Sequence, residues 1–297
     1  MAIYGSIEGG GTKFVCAIGT APDDIAAEVT IPTTTPDQTL ARVVGFFSEH
    51  GPLDAIGVAM FGPVDLDPDS PTYGHVTSTP KPGWSGTDVV GRLNAAFGVP
   101  VGFDTDVNGA ALGEGRWGAA QGLDTFLYIT VGTGVGGGGV VNGEPLHGLV
   151  HPEIGHIRIP RLLGDEFAGA CPFHGDCLEG LVSGPAIAKR WGRPAQDLGD
   201  DTPRAVELAA HSLGQAMANL VVTVSPQRII IGGGVAKLPG LLEATRGQML
   251  ESLNGYIESS AFESHASGFL VAPGLGDRSG IAGGFVLAER SNGRARR

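Results

Sequence analysis

Basic residues are scarce in this chain. Lys and Arg number 19 against 31 Asp and Glu, a formal net charge of -12, so no concentrated basic stripe is available to displace the counterions of a nucleic acid. Phosphate must therefore be met locally, by backbone amides and a few Lys. Long apolar runs are also missing, and none reaches the roughly 18 residues of a membrane helix. The opening Met-Ala-Ile-Tyr-Gly-Ser lacks the basic segment followed by an apolar one that marks an export signal. These absences predict a soluble, cytoplasmic protein with neither nucleic-acid nor membrane partners. Cysteine is sparse as well, with three in 297 residues. Cys16 stands alone on a strand-like run, where it reads as a small buried hydrophobe in a reducing compartment.

What is present suffices for a large core. Hydrophobic residues make up 42% and charged residues 17%, a balance that excludes disorder, and the length suits two domains or one large α/β unit. Two lobes with a cleft are expected. Fifty glycines would suggest low complexity if spread periodically. They cluster instead after short β-branched runs, where a backbone turns tightly or approaches a ligand.

Reactive side chains gather between His151 and Glu179. Cys171, His174 and Cys177 stand at Cys-x2-His-x2-Cys spacing, which lets one compact turn point three ligands at a tetrahedral ion, with zinc the natural guest. That turn holds no fourth ligand; His151 and His156 are the upstream candidates, and His156 is the closer. A competing reading makes Cys171 and Cys177 buried thiols or a disulfide, and the histidines partners of nearby backbone. The tight grouping of two Cys and a His favours the metal.

Taken in order, Ile3 to Glu8 and Phe14 to Ile18 read as strands joined by Gly9-Gly10-Gly11-Thr12-Lys13, a hairpin turn able to offer a phosphate several N–H groups and the Thr12 hydroxyl. Glu8, just before it, could hold magnesium directly or through water. Plain hairpin chemistry explains the turn equally well, and the spacing of a Walker loop is absent. Val29 to Ile31 predicts a strand, Pro36 to His50 a helix with one buried face, and Ala55 to Met60 a fully buried strand. A long Pro/Ser/Thr-rich loop then runs to Trp84, which reads as an anchor within a cleft rim. Thr87 to Phe97 predicts a helix and Val99 to Phe103 a strand. Asp104-Thr105-Asp106-Val107-Asn108 opens the next helix. Asp104 and Asp106 could be ordinary caps, yet a carboxylate at a strand's C-terminal end beside a helix start also suits a base.

Thr125 to Val140 repeats the strand, Gly/Thr turn, strand pattern through Gly132-Thr133-Gly134, which suggests an internal duplication. A third glycine turn, Gly232-Gly233-Gly234, follows Ile229 to Ile231, and three such turns can surround one polyphosphate. Ser183 to Trp191, Pro203 to Val224 and a stretch from Leu238 through Leu253 to Ile257 predict helices. Phe269 to Val271 reads as an edge strand, Gly280 to Ala288 as a small-residue helix able to pack on either lobe, and the basic tail from Arg290 to Arg297 as frayed.

Several of these stretches together resemble the ROK family of bacterial sugar kinases and repressors: Glu-x-Gly-Gly-Thr-Lys at Glu8 to Lys13, Asp-x-Asn at Asp106 to Asn108 followed by Gly-Ala-Ala-Leu-Gly-Glu, Gly-Thr-Gly-x-Gly-Gly-Gly at Gly132 to Gly138, Glu-x-Gly-His at Glu153 to His156, the Cys/His cluster, and Ile-Gly-Gly-Gly at Ile231 to Gly234. The likeness spans nearly the whole chain in the family's order. Within the family it is most similar to bacterial fructokinases, on two features: Glu8 where glucokinases usually carry Asp, and His174 where they carry a third clustered Cys. The repressors add an N-terminal helix-turn-helix domain, whereas here the first strand is expected almost at Met1.

The resemblance implies an α/β, actin-like and hexokinase-like (ribonuclease H-like) fold of two lobes with a central cleft. Residues 1–118, completed by a C-terminal helix over 280–297, would form one lobe and 119–279 the other. It implies Asp106 as the base that takes the sugar hydroxyl's proton, with Mg2+ and ATP as donor. Gly10, Gly11, Thr12, Thr133 and Gly134 would hold phosphates, Lys13 would add charge or face solvent, and Pro185 with Gly232, Gly233 and Gly234 would pack on adenosine. Glu153, His156 and Glu179 are assigned to sugar hydroxyls, and Thr105 stands where many members carry a sugar-touching Asn. His156, Cys171, His174 and Cys177 are assigned to a structural zinc, with His156 serving metal and sugar through its two ring nitrogens.

The activity so implied is transfer of phosphate from ATP to D-fructose at the 6-hydroxyl, the lobes closing to exclude water, in a homodimer. Glucose, mannose or N-acetylmannosamine are alternative acceptors. A sugar-sensing binding protein without catalysis is a second alternative, though it would need neither base nor phosphate cradle. A zinc-mediated interaction module is a third, and leaves the glycine hairpins without purpose.

Overall fold

The computed structural model describes residues 2–295, divided into two units, each with its own sheet. The first unit takes Met1–Gly122, Glu144–Pro152 and Gly274–Arg297. Its strands β1 (Tyr4–Gly9), β2 (Lys13–Ala21), β3 (Asp24–Pro32), β4 (Ala55–Met60) and β5 (Val101–Thr105) run in the order β3-β2-β1-β4-β5. The hairpin strands pair antiparallel, and β4 and β5 add in parallel. β4 is buried at every position, as a strand covered on both faces must be. Helix α1 (Pro36–Glu49), capped by Thr35 and opened by Pro36, sends Leu40, Val43 and Phe47 into a core with Ile7, Phe14 and Ile56.

A C-terminal helix, Ser279–Ala295, also packs on this unit. Small residues permit backbone contact there: a Cβ on Gly57 of β4 would fall 1.8 Å from the Gly284 carbonyl oxygen, and one on Gly283 would fall 1.9 Å from the Gly109 oxygen. The helix runs on past Ala288 to Ala295, so the expected fraying from Arg290 is corrected. Arg290 pairs with Glu144 at 2.9 Å, and an uninterrupted helical ladder carries the following residues. Arg296 and Arg297 lie outside the described residues.

Trp84 is an anchor: it is fully buried, stacks on Phe14 at 5.5 Å, and donates from Nε1 to the Thr34 carbonyl at 2.9 Å. Helix α2 (Val90–Phe97) starts three residues later than the sequence suggests. The Thr87 carbonyl is taken by the Val76 amide at 2.9 Å, and Asp88 accepts from Gly91 N at 2.7 Å, so the chain before Val90 is tied into turns. Helix α3 (Asp106–Trp117) follows β5 directly.

The second unit takes Leu123–Gly143 and Glu153–Pro273. β6 (Phe126–Val131) and β7 (Val135–Val141) form a hairpin, β8 (Arg228–Gly232) pairs parallel with β6, and β9 (Leu270–Val271) pairs parallel with β8. Each unit thus repeats one pattern, a strand antiparallel to its successor and parallel to a later one. Helices α4 (Leu178–Val182), α5 (Gly184–Trp191), α6 (Thr202–Val224) and α7 (Leu241–Leu253) complete it. α6 buries Leu213 and Met217 against Leu127, Ile129 and Ile231. Gly214 lets α7 approach closely, since a Cβ there would meet Gln248 Cβ at 2.4 Å.

Candidate active site and metal centre

In the first unit the chemistry concentrates at the β5-to-α3 corner. Thr105 caps the helix by accepting from Asn108 N at 3.1 Å, and Asp106 is its first residue, partly exposed, with Oδ1 accepting from Val107 N at 2.9 Å. The cap is therefore Thr105. Asp104 still belongs to the strand and is buried at 2% exposure, with Oδ1 accepting from Thr105 N and Asn108 Nδ2, each at 2.8 Å. Its Oδ2 accepts from His147 Nε2 at 2.9 Å. That bond, ahead of all other influences, holds the His147 ring's pKa above the ordinary histidine value.

The β1–β2 turn is closed by Gly10 N donating to the Lys13 carbonyl at 2.9 Å, and Gly11, Thr12 and Lys13 are exposed. Glu8 lies against Gly280 of the C-terminal helix. Burial pushes the Glu8 carboxyl's pKa up, and nearby Lys13 partly offsets this. A cation set beside Glu8 would favour the ionised form, so the residue is chemically fit for the magnesium role.

In the second unit three glycine segments and one carboxylate meet. Gly184 N, at the start of α5, donates to the Gly132 carbonyl at 2.7 Å, with Ser183 capping that helix and exposed Pro185 in its first turn. Gly233 has φ +96°, and a Cβ there would sit 2.4 Å from the Val131 carbonyl oxygen, so only glycine passes this close to the hairpin. Gly232 is buried and Gly234 exposed beside it. Glu179, on α4, accepts from Val135 N at 3.0 Å and lies against Gly134, while Thr133 is exposed at the turn's tip. The Gly/Thr turn, the Pro185 helix start and the Gly232 to Gly234 turn are thus brought together, with Glu179 fixed at their side.

A one-turn helix over Ile154–His156 packs on β7: a Cβ on Gly155 would fall 1.8 Å from the Val135 carbonyl oxygen. Glu153, before it, is exposed. His156 Nδ1 lies 3.8 Å from Cys171 Sγ, 3.5 Å from Cys177 Sγ and 3.3 Å from His174 Nδ1, with Cys171 Sγ and His174 Nδ1 3.7 Å apart. One ligand atom from each of the four residues falls within 4.8 Å of every other. Tetrahedral zinc with ordinary Zn–S and Zn–N bonds would space such atoms about 3.3 to 3.8 Å apart, so the donor set and its spacing fit the ion. His151 is engaged elsewhere, its Nε2 accepting from Val64 N at 3.1 Å in the first unit. Arg158 and Arg161 pair with Asp176 beside the ligands, and Arg190 holds Asp165 through two bonds at 2.9 and 3.1 Å.

Two residues that hold this architecture escaped the sequence. Glu114 is fully buried and accepts from Ala119 N, Gly274 N, Leu275 N and Ser279 Oγ at 2.6 to 3.0 Å. His147 gave no sign in its own stretch. The only pointer to Glu114 was its place at the end of the Gly-Ala-Ala-Leu-Gly-Glu run.

An α/β chain with paired glycine hairpins, a carboxylate opening a helix after a parallel strand, and a four-ligand zinc-type cluster belongs to the actin-like, hexokinase-like class. The model of the ROK family matches residues 4–291, and the chain belongs to that family. It is 47% identical over 293 residues to a fructokinase of Zymomonas mobilis subsp. mobilis, covering 96% of each chain. It is 42% identical over 287 residues to a fructokinase of Pediococcus pentosaceus, covering 97% of this chain and 98% of the other. Among solved structures it is similar to the ROK hexokinase of Thermus thermophilus, with a TM-score of 0.78 at 29% identity, covering 97% of this chain and 98% of that one. Among the described residues no helix is long and apolar enough to cross a membrane.

Proposed function

We propose that this chain transfers the γ-phosphoryl group of ATP to the 6-hydroxyl of D-fructose. The observation that carries the reading is the β5-to-α3 corner, which presents the partly exposed Asp106 carboxylate at a helix start, in a chain whose full-length relatives at 42 to 47% identity are named fructokinases.

Asp106 is the general base, taking the hydroxyl proton as the oxygen attacks phosphorus. Gly10, Gly11 and Thr12 in the first unit, and Thr133 and Gly134 in the second, offer backbone and hydroxyl donors to phosphate oxygens. Lys13 adds positive charge. Glu8 would hold the magnesium that accompanies ATP, directly or through water. Pro185 and the Gly232, Gly233 and Gly234 turn take the adenosine. Glu153, Glu179, His156 and Thr105 address the sugar.

His156, Cys171, His174 and Cys177 would hold a structural zinc, whose chemistry is to fix the loop that carries His156. With Nδ1 directed at the metal site, the His156 Nε2 is left to address a sugar hydroxyl. The protein works in the cytoplasm as a homodimer, a state that sedimentation can check.

The test is steady-state turnover with MgATP and, in turn, fructose, glucose, mannose and N-acetylmannosamine. Fructose is expected to give the highest kcat/KM, because a site built for particular hydroxyls leaves polar groups unpaired with the wrong isomer. Turnover highest on another hexose would keep the kinase and replace its substrate. No turnover on any of them would point to a sugar-binding protein without catalysis.

A further inference from the structure

The buried Asp104 carboxylate lies two residues before Asp106 and is wired into the backbone that aims it. Asp104 Oδ1 is committed to the corner itself, bonding Thr105 N and Asn108 Nδ2 at 2.8 Å. These donors are neutral. Its Oδ2 is met by His147 Nε2 at 2.9 Å, from a segment 43 residues away that joins the two units' chain stretches. A carboxylate at 2% exposure needs a hydrogen-bond partner at each oxygen. Of the charged side chains nearby, His147 is the one in contact.

We propose that His147 and Asp104 act as a positioning pair for phosphoryl transfer: His147 clamps the Asp104 carboxylate, and Asp104 fixes the backbone corner from which Asp106 projects. The inference rests on the reading of Asp106 as the base. His147 touches none of the proposed substrate-binding residues of this unit in the contacts described, so it acts through Asp104. Without its clamp, Asp104 Oδ2 faces a cavity of about 530 Å3 lined also by Tyr73, Phe103 and Leu287. Water entering there would compete for the carboxylate, and the Oδ1 bonds that set the Thr105 amide and Asn108 would slacken. A base displaced by about 1 Å can lose on the order of 100-fold in rate.

The charged and titratable groups around the ring favour its protonated form. Asp104 faces it from β5, Glu144 from its own segment, and Tyr73 from the loop after β4. Arg290 of the C-terminal helix also lines the cavity, but it is neutralised by Glu144 at 2.9 Å. The ring's raised pKa agrees with this balance. Side-chain exposure of 41% at His147 gives it access to solvent protons through the cavity.

The test combines kinetics with titration of the ring by NMR on the full chain. His147→Ala should lower kcat about 10- to 100-fold while the KM for ATP stays unchanged, and His147→Gln, which keeps an N–H donor, should recover most of the loss. In wild type the His147 ring should titrate above the roughly 6.5 of an unperturbed histidine. Asp104→Asn keeps the corner's shape but presents an amide nitrogen, which His147 can meet only as a neutral ring. The His147 pKa must then fall below its wild-type value. Wild-type kcat in His147→Ala, or a His147 titration at the unperturbed value, would overturn the pair. Absence of turnover in wild type itself would sink the kinase reading instead, and the titration distinguishes the two failures because it needs no substrate.

Discussion

The β5-to-α3 corner of the first unit and the Cys/His loop of the second are both short connections that hold polar side chains in fixed geometry, but by different means. At the corner, every constraint is supplied by the chain: Thr105 caps α3, Asp104 bonds the Thr105 amide and Asn108, and His147 closes the set. Around the loop, Ile154, Ile159 and Leu178 tie the ends into the core, while between them Leu163 is 98% exposed and Phe173 73% exposed. What converges instead are four soft or borderline ligand atoms and a set of Arg–Asp pairs. Protein hydrogen bonds order a corner whatever the solution contains, whereas a ligand cluster of this kind would be ordered by an ion that it bound. The difference would suit the tasks proposed for them, since a base must be placed without exception and a loop that addressed the sugar would need a fixed scaffold.

The comparison can be broken at either end. The largest effect is expected at the corner: Asp106→Asn keeps the helix start and its shape, so fructose and ATP should still bind, while kcat falls by about 100- to 10,000-fold. Isothermal titration and turnover on one preparation check this, and unchanged turnover would remove Asp106 from the mechanism. Next in size is Cys177→Ser in the loop. Zinc content, measured by atomic emission, should drop to background, the KM for fructose should rise, and stability should fall by about 4 kcal/mol. Glu114→Ala removes the acceptor of three backbone amides and one hydroxyl in a fully buried place, and urea unfolding should show a loss of about 3 kcal/mol with the zinc content intact.

The smallest effect is electrostatic. Because the folded pKa of His147 is raised, its contribution to stability is complete below the unfolded value of about 6.5 and drains away as pH climbs through the folded pKa. The urea midpoint should therefore decline slightly on the alkaline side of that value. His147→Ala should flatten the decline.

Much of this was legible in the residues. The alternating and fully apolar runs marked Ala55 to Met60 and the β1–β2 hairpin because burial on defined faces leaves a periodic trace. The Cys-x2-His-x2-Cys turn was legible because local spacing alone brings three ligands together. The Asp104-Thr105-Asp106 run was harder: three residues able to cap a helix stand in a row, and only the register of β5 decides that Thr105 caps while Asp104 stays in the strand. Glu114 and His147 were illegible for another reason. Glu114 reaches Gly274 across 160 residues and His147 reaches Asp104 across 43, and no local pattern encodes a bond closed by the fold itself. The C-terminal helix read as able to pack on either lobe, and only the resemblance assigned it to the first; Gly57 and Gly109 are where backbone meets backbone.

One measurement tests the contrast directly: hydrogen–deuterium exchange over residues 100–110 and 153–180 on a single preparation, before and after chelation of bound metal. Protection should be lost across 153–180 in step with zinc release, while 100–110 exchange as before. Equal loss in both stretches, or none in either, would contradict a β5-to-α3 corner ordered by the chain alone and a Cys/His loop ordered by a metal.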